Sequence, residues 1–285
     1  GLLLRDQGGD ENAQLYYHDL TNDTTQRITD GKSRNTGAVW SRDGRRIAYA
    51  STARDGVSYD IYIADVPGSL APRFVMNGMG KTWFVLDWSI DDSKLLVLNY
   101  VSINESYLYL ADAVTGTLTP VDAAKEPVGI RSAKLAPDGR HVYLVSDRGS
   151  EFAQLRKVDT ALGDVTVLTE RIPWDIETFD VSLDGRYIAF VANVDGVSRL
   201  TVLDQTNQTE LAPPIAAGQI GRLAFDRTGK RLALSLETAR APRDVYVLDI
   251  EKNALQRWTE SETGAVDASK FVAAELIRFP LERPE

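Results

Sequence analysis

Three Gly-x-Ser triplets, Gly31-Lys-Ser33, Gly56-Val-Ser58 and Gly196-Val-Ser198, are the places where a hydrolase-type nucleophilic serine would sit. That chemistry needs Gly-x-Ser-x-Gly, because a strained strand-to-helix turn must expose the hydroxyl. Asn35, Asp60 and Leu200 stand where the second glycine belongs, so none of the three completes the motif. Metal chemistry fares no better. His18 and His141 are the only histidines, cysteine is absent, and no His-x-x-x-His spacing offers two ligands on one face. Phosphate-binding loops fail at their first glycine: Val75 precedes Gly80-Lys-Thr82, and Gln26 precedes Gly31-Lys-Ser33. Trp83 stands where Gly78-x-Gly80 would need its third glycine to bind a dinucleotide. Paired carboxylates of the glycosidase kind remain, since acidic residues are plentiful, but their positions recur too regularly for a unique site.

That regularity defines the elements. Aspartates close short apolar stretches at Asp19, Asp65, Asp112, Asp159, Asp204 and Asp249, at intervals of 46, 47, 47, 45 and 45 residues. A second ladder runs in phase: Trp40-Ser-Arg-Asp-Gly-Arg, Trp88-Ser-Ile-Asp-Asp-Ser, Leu135-Ala-Pro-Asp-Gly-Arg, Val181-Ser-Leu-Asp-Gly-Arg and Phe225-Asp-Arg-Thr-Gly-Lys. Repeats of 40 to 50 residues with four strands each specify a β-propeller, because one small sheet must stack against others to bury its faces. The expected fold is all-β, with four-stranded antiparallel blades. Each unit reads as strands A to D, with an Asp-Gly turn joining A to B, a near-continuous apolar strand B expected to be covered on both faces by neighbouring blades, the closing aspartate on C and a polar outer strand D.

Six repeats are visible, and the first begins at strand B. An extra apolar strand is expected over Phe271 to Phe279, and its Glu275-Leu-Ile-Arg-Phe279 would supply the missing strand A and close a ring of six; the rival is a ring of seven with a further blade upstream. Residues 1–270 are therefore assigned to the propeller repeats. The 32 basic against 41 acidic residues give a net charge of −9, which argues against nucleic acid and anionic membranes as partners. No stretch reaches the length of apolar residues that crosses a bilayer as a helix, so a soluble protein is expected, with its compartment left open between cytoplasm and periplasm. No cofactor is expected.

Positions that break the repeat point to function, since the blade does not demand them. The B–C loops are expected at Ser51 to Tyr59, Asn99 to Ser106, Ser146 to Ala153, Asn193 to Ser198 and Glu237 to Arg243, forming one face with the D–A loops. From that face Asn104, Glu105, Arg148, Glu151, Trp174 and Glu177 are the candidate binding residues. The closing and turn aspartates are expected to be structural, as are both histidines.

Several non-repeat stretches carry a resemblance: Arg5-Asp-Gln-Gly-Gly-Asp-Glu-Asn12, Tyr100-Val-Ser-Ile-Asn-Glu-Ser-Tyr107, Ser146-Asp-Arg-Gly-Ser-Glu-Phe152, Ile172-Pro-Trp-Asp175 and Trp258-Thr-Glu-Ser-Glu-Thr-Gly264. They resemble the N-terminal propeller of the prolyl oligopeptidase family of serine peptidases. Glu275-Leu-Ile-Arg-Phe-Pro280 resembles the exit of that propeller, so 271–285 is expected to be a C-terminal strand and the start of a linker to an α/β-hydrolase domain. The resemblance implies a propeller that caps the hydrolase domain and admits peptide substrates, with the Ser, Asp and His triad in that other domain and no catalytic residue here. Two alternatives stand beside it: a freestanding TolB-like interaction propeller, and a propeller glycosidase or lactonase using carboxylates or calcium.

Overall fold

The computed structural model describes residues 1–68, 71–121, 127–264, 266–267 and 270–278. The fold is an all-β propeller of six antiparallel sheets, one with three strands and five with four. Two compact units divide the chain, Gly1–Glu170 and Arg171–Glu285. In the first unit, blade 1 has β1 (Leu2–Arg5), β2 (Gln14–Asp19) and β3 (Thr24–Arg27), and blade 2 has β4 (Asn35–Trp40), β5 (Arg46–Ser51), β6 (Asp60–Asp65) and β7 (Arg73–Met76). Blade 3 follows with β8 (Thr82–Trp88), β9 (Lys94–Ser102), β10 (Glu105–Asp112) and β11 (Leu118–Pro120), then blade 4 with β12 (Ile130–Leu135), β13 (His141–Ser146), β14 (Gln154–Asp159) and β15 (Val165–Val167). The second unit holds blade 5, β16 (Ile176–Val181), β17 (Tyr187–Val194), β18 (Val197–Asp204) and β19 (Thr209–Leu211). Blade 6 is β20 (Gln219–Phe225), β21 (Arg231–Thr238), β22 (Ala241–Asp249) and β23 (Ala254–Arg257).

Both sequence ladders are hydrogen-bonded turns. The six closing aspartates are the last residues of β2, β6, β10, β14, β18 and β22. In five of them Oδ1 accepts amides two or three residues ahead, as from Thr21, from Val114 and Thr115, from Ala161 and Leu162, from Thr206 and from Lys252, which bends strand C into D. In the A–B turn, Ser41 Oγ donates to Asp43 Oδ1 at 2.6 Å, Asp43 accepts the Arg45 amide at 2.9 Å, and Gly44 turns the chain at φ 70°. Only glycine adopts that backbone without a steric cost.

Apolar faces pack from sheet to sheet within each unit. Ala48, Ala50, Ile61 and Ile63 meet Trp83, Val85 and Val97, and Leu96, Leu98 and Leu108 meet Ala133, Leu144 and Val158. In the second unit Ala189, Val191, Leu200 and Val202 meet Ile220, Leu232, Leu234 and Leu248. Each large side chain so buried stabilises by about 1.5–3 kcal/mol.

Three expectations need correcting. Strand β21 is not covered on both faces: Leu232, Leu234 and Leu236 are buried, while Ala233 and Ser235 between them stay half-exposed. The B–C loops of blades 3, 5 and 6 are shorter than expected, because β9, β17 and β21 run on to two-residue turns at Ile103-Asn104, Asp195-Gly196 and Ala239-Arg240. Finally, residues 271–278 form no strand, with Leu276 and Ile277 exposed and no ladder beside them, and Phe279 and the linker residues 279–285 lie outside the described residues.

Candidate functional site

Strand C begins, in most blades, with a polar side chain that anchors the crossing from D to the next strand A. Gln14 Oε1 accepts Thr29 Oγ1 at 2.7 Å and the Gly31 amide at 2.8 Å. Asp60, fully buried, accepts the Gly78 amide at 2.7 Å and is forked by Arg54 through Nε at 2.6 Å and Nη2 at 3.1 Å. Ser106 Oγ accepts the Ile130 amide at 2.9 Å. The second unit repeats the device: Ser198 Oγ accepts the Ile220 amide at 3.0 Å, and Asp244 accepts Thr259 Oγ1 at 2.8 Å and the Ser261 amide at 2.9 Å beside Arg257. Burial pushes the Asp244 carboxyl up, and the bonds from Thr259, Arg257 and Ser261 outweigh it, leaving it below the usual carboxylate value. A rigid loop end results, fit to present side chains.

In the first unit that end contains a cavity of about 520 Å³. Lys81 from the β7–β8 crossing, Asn99 and Tyr100 from β9, and Glu105, Tyr107 and Tyr109 from β10 line it. Alternation along β10 puts Tyr107 and Tyr109 on one face, where Tyr109 packs against Trp83 with ring centroids 5.5 Å apart. Trp83 is itself fixed by donating from Nε1 to the Gly78 carbonyl at 3.1 Å. Glu105 accepts the Tyr107 hydroxyl at 2.7 Å, and that bond holds the phenol pKa above its usual value. Two apolar residues near these in sequence are exposed, Met79 at 79% beside Gly80 and Ile103 at 81% in the β9–β10 turn. Such a site holds a ligand by aromatic contact and offers one ammonium and one carboxylate; it aligns no nucleophile with a base.

Of the six residues expected from sequence, Glu105 lines this cavity, and Asn104 sits in the adjoining turn with its amide donating to Ser102 Oγ at 3.3 Å. Arg148 and Glu151 lie in the turn between β13 and β14. In the second unit Trp174 precedes β16, and Glu177 on β16 accepts Asn193 Nδ2 at 2.8 Å and Ser198 Oγ at 3.3 Å, so its carboxylate braces the hairpin. Sequence reasoning passed over Lys81, Tyr100 and the Tyr107-x-Tyr109 alternation, which was the available signal.

The second unit has a groove of about 590 Å³ bordered by small residues, including Ala216, Ala217 and Gly218 from the β19–β20 crossing and Ala273 and Ala274 from the C-terminal segment. Arg278 pairs with Asp195 at the tip of the β17–β18 hairpin, which fixes that segment across the B–C end. Neither histidine meets a serine: His18 Nδ1 is 3.0 Å from Thr25 Oγ1, and His141 Nδ1 is 2.6 Å from Asp138 Oδ2. Among the described residues no three His, Cys, Asp or Glu side chains gather as a metal site, and no helix is long and apolar enough to cross a membrane.

No protein-family model matches the chain. It is 29% identical over 168 residues to the uncharacterized peptidase YuxL of Bacillus subtilis, covering 58% of this chain and 23% of that protein. It is 25% identical over 152 residues to dipeptidyl-peptidase 5 of Porphyromonas gingivalis, covering 47% of this chain and 19% of that protein. The chain thus spans about a quarter or less of the curated relatives it matches. Among solved structures, puromycin hydrolase superposes with a TM-score of 0.75 at 18% identity, over 95% of this chain and 45% of that one. The putative TolB of Agrobacterium tumefaciens superposes with a TM-score of 0.65 at 16% identity, over 87% of this chain and 89% of that one.

Proposed function

We propose that this chain, which matches an N-terminal β-propeller domain of the prolyl oligopeptidase family of serine peptidases, is the non-catalytic propeller of such a peptidase and gates peptide access to a hydrolase domain of the same polypeptide. The supporting observation is how the match divides: 95% of this chain corresponds to 45% of puromycin hydrolase, a propeller-sized part of a longer enzyme. The absence of a complete Gly-x-Ser-x-Gly within the 285 residues fits a division of labour in which bond cleavage is carried elsewhere. In this reading Asn104, Glu105, Arg148, Glu151, Trp174 and Glu177 contact the peptide or the hydrolase domain from the loop end.

The test is to express the reading frame that encodes this chain in full and measure kcat/KM on short chromogenic peptides, with the 285-residue chain alone as control. Hydrolysis by the full polypeptide and none by the control is expected. Hydrolysis retained by the purified control through further chromatography would contradict it. A freestanding TolB-like propeller is the second reading, favoured by the match to 89% of the Agrobacterium protein. A stop codon directly after Glu285 would support it, and a downstream Gly-x-Ser-x-Gly would support the peptidase.

A further inference from the structure

Three residues before its closing aspartate, strand C carries a tyrosine in four blades, Tyr16, Tyr62, Tyr109 and Tyr246, and a threonine, Thr201, in blade 5. Blade 4 alone has a charge there, Arg156 on β14. The residue is only 7% exposed. Its Nη2 donates to the Gln154 side-chain oxygen at 2.9 Å and to the Arg148 carbonyl, both neutral acceptors. Its Nε is buried with no hydrogen-bond partner, and among the described residues no carboxylate pairs with the guanidinium. Burial and the neighbouring Arg148 charge both disfavour the protonated form, against a weaker pull from Asp147. Asp147 is engaged elsewhere, accepting the Gly129 amide at 3.2 Å.

A guanidinium does not escape by losing its proton, so a desolvated one with no carboxylate paired to it is a costly arrangement in a protein interior. Nothing in the blade demands it, since a tyrosine serves at the same position four times. An anion would account for it. We propose that Arg156 anchors a carboxylate-binding site at the loop end of blade 4, in which the incoming carboxylate replaces the Arg148 carbonyl and takes Nε and Nη2 as a two-pronged bond. Guanidinium and carboxylate match in this geometry, and both partners of the new bond are charged where the present acceptor is a neutral carbonyl. The latch to be displaced is light: a turn closed by the Ser150 amide on the Asp147 carbonyl at 3.0 Å, with the Phe152 amide on Ser150 Oγ at 3.2 Å. Asp147, whose charge pulls on Arg156, tempers the attraction.

The site goes beyond the gating reading and does not depend on it. A peptide supplies the group either as its chain terminus or as an acidic side chain, and calorimetric titration of the 285-residue chain with three probes separates the two. They are acetyl-Ala-Ala-Ala with a free carboxylate, the same peptide as its amide, and acetyl-Ala-Glu-Ala-amide. Binding of the first alone identifies the terminus, binding of the third alone the side chain, and binding of both a general carboxylate site; the amide is expected not to bind. If neither carboxylate probe binds more tightly than the amide, the proposal is overturned. Arg156→Tyr restores the residue of the other blades, so it should fold with an unchanged or higher Tm while weakening carboxylate binding at least about tenfold. Undiminished binding by this variant also overturns the proposal. Should it misfold, Arg156→Lys decides, keeping the stem and charge but losing the fork: weakened binding supports the site, and unchanged affinity refutes it.

Discussion

Asp87 on β8 joins three blades through one carboxylate. It accepts Arg42 Nη2 from blade 2 at 2.7 Å, its neighbour's amide at Trp88 at 2.9 Å, and the Leu135 amide of blade 4 at 3.0 Å. In the second unit Asp180 of blade 5 links to blade 6, accepting the Phe225 amide at 2.7 Å. Neither role is legible in the sequence, because donor and acceptor are separated by a whole repeat and the aspartate falls outside both ladders. Asp87→Ala strands a buried amide and Arg42, and should cost about 3 kcal/mol in urea unfolding. Burial pushes the Asp87 carboxyl up, opposed by Arg42, so the stability linked to its ionisation is present below 3.8 and lost as pH rises through the folded value. Asp159 has the opposite sign: the Arg140 guanidinium leads in holding it down at about 2, against burial, so its contribution is present above 3.8 and lost as pH falls toward 2. Arg140→Gln should flatten the decline of the urea midpoint across that acidic window; an unaltered slope would show that Asp159 is not its source.

At the scale of elements, the turns were legible because their residues are fixed by backbone geometry: each closing aspartate does end a strand C, and the Asp-Gly turns do join A to B. Blade 3 departs from that rule in a revealing way. Asp92 stands in the glycine position at φ 56°, and its carboxylate accepts the Arg42 and Asp43 amides of blade 2 at 2.7 and 3.1 Å. Asp92→Gly should therefore destabilise although it relieves the backbone, and Asp92→Ala should cost about 1 kcal/mol more, keeping the strain and losing the bonds. Thermal unfolding of the two variants gives the order. Gly116, in the C–D turn of blade 3, lies so near blade 2 that a Cβ would collide with the Val75 carbonyl oxygen. Gly116→Ala should cost about 1–3 kcal/mol by forcing those two sheets apart, measured the same way. The ends of strands were less legible: β9 and β17 run past the expected loops, since a two-residue turn leaves little trace beyond pairs such as Asp195-Gly196.

For the molecule as a whole, the 45–47-residue period was enough to give a stack of antiparallel sheets, because only neighbouring copies bury faces as apolar as Ile47-Ala-Tyr-Ala and Leu95-Leu-Val-Leu. The loop end was legible as a surface and not as a site: Tyr100, Tyr107 and Tyr109 read as ordinary strand residues until the sheet brings them around Glu105. In the proposed gating role, this propeller controls entry to chemistry performed by another domain. The most direct measurement is the ratio of kcat/KM for a short peptide to that for the same cleavage sequence inside a folded protein. It is taken on the full polypeptide, first intact and then with the propeller cut out. A high ratio that collapses when the propeller is removed is expected. An equal ratio in both forms, or cleavage by the 285-residue chain alone, would contradict it.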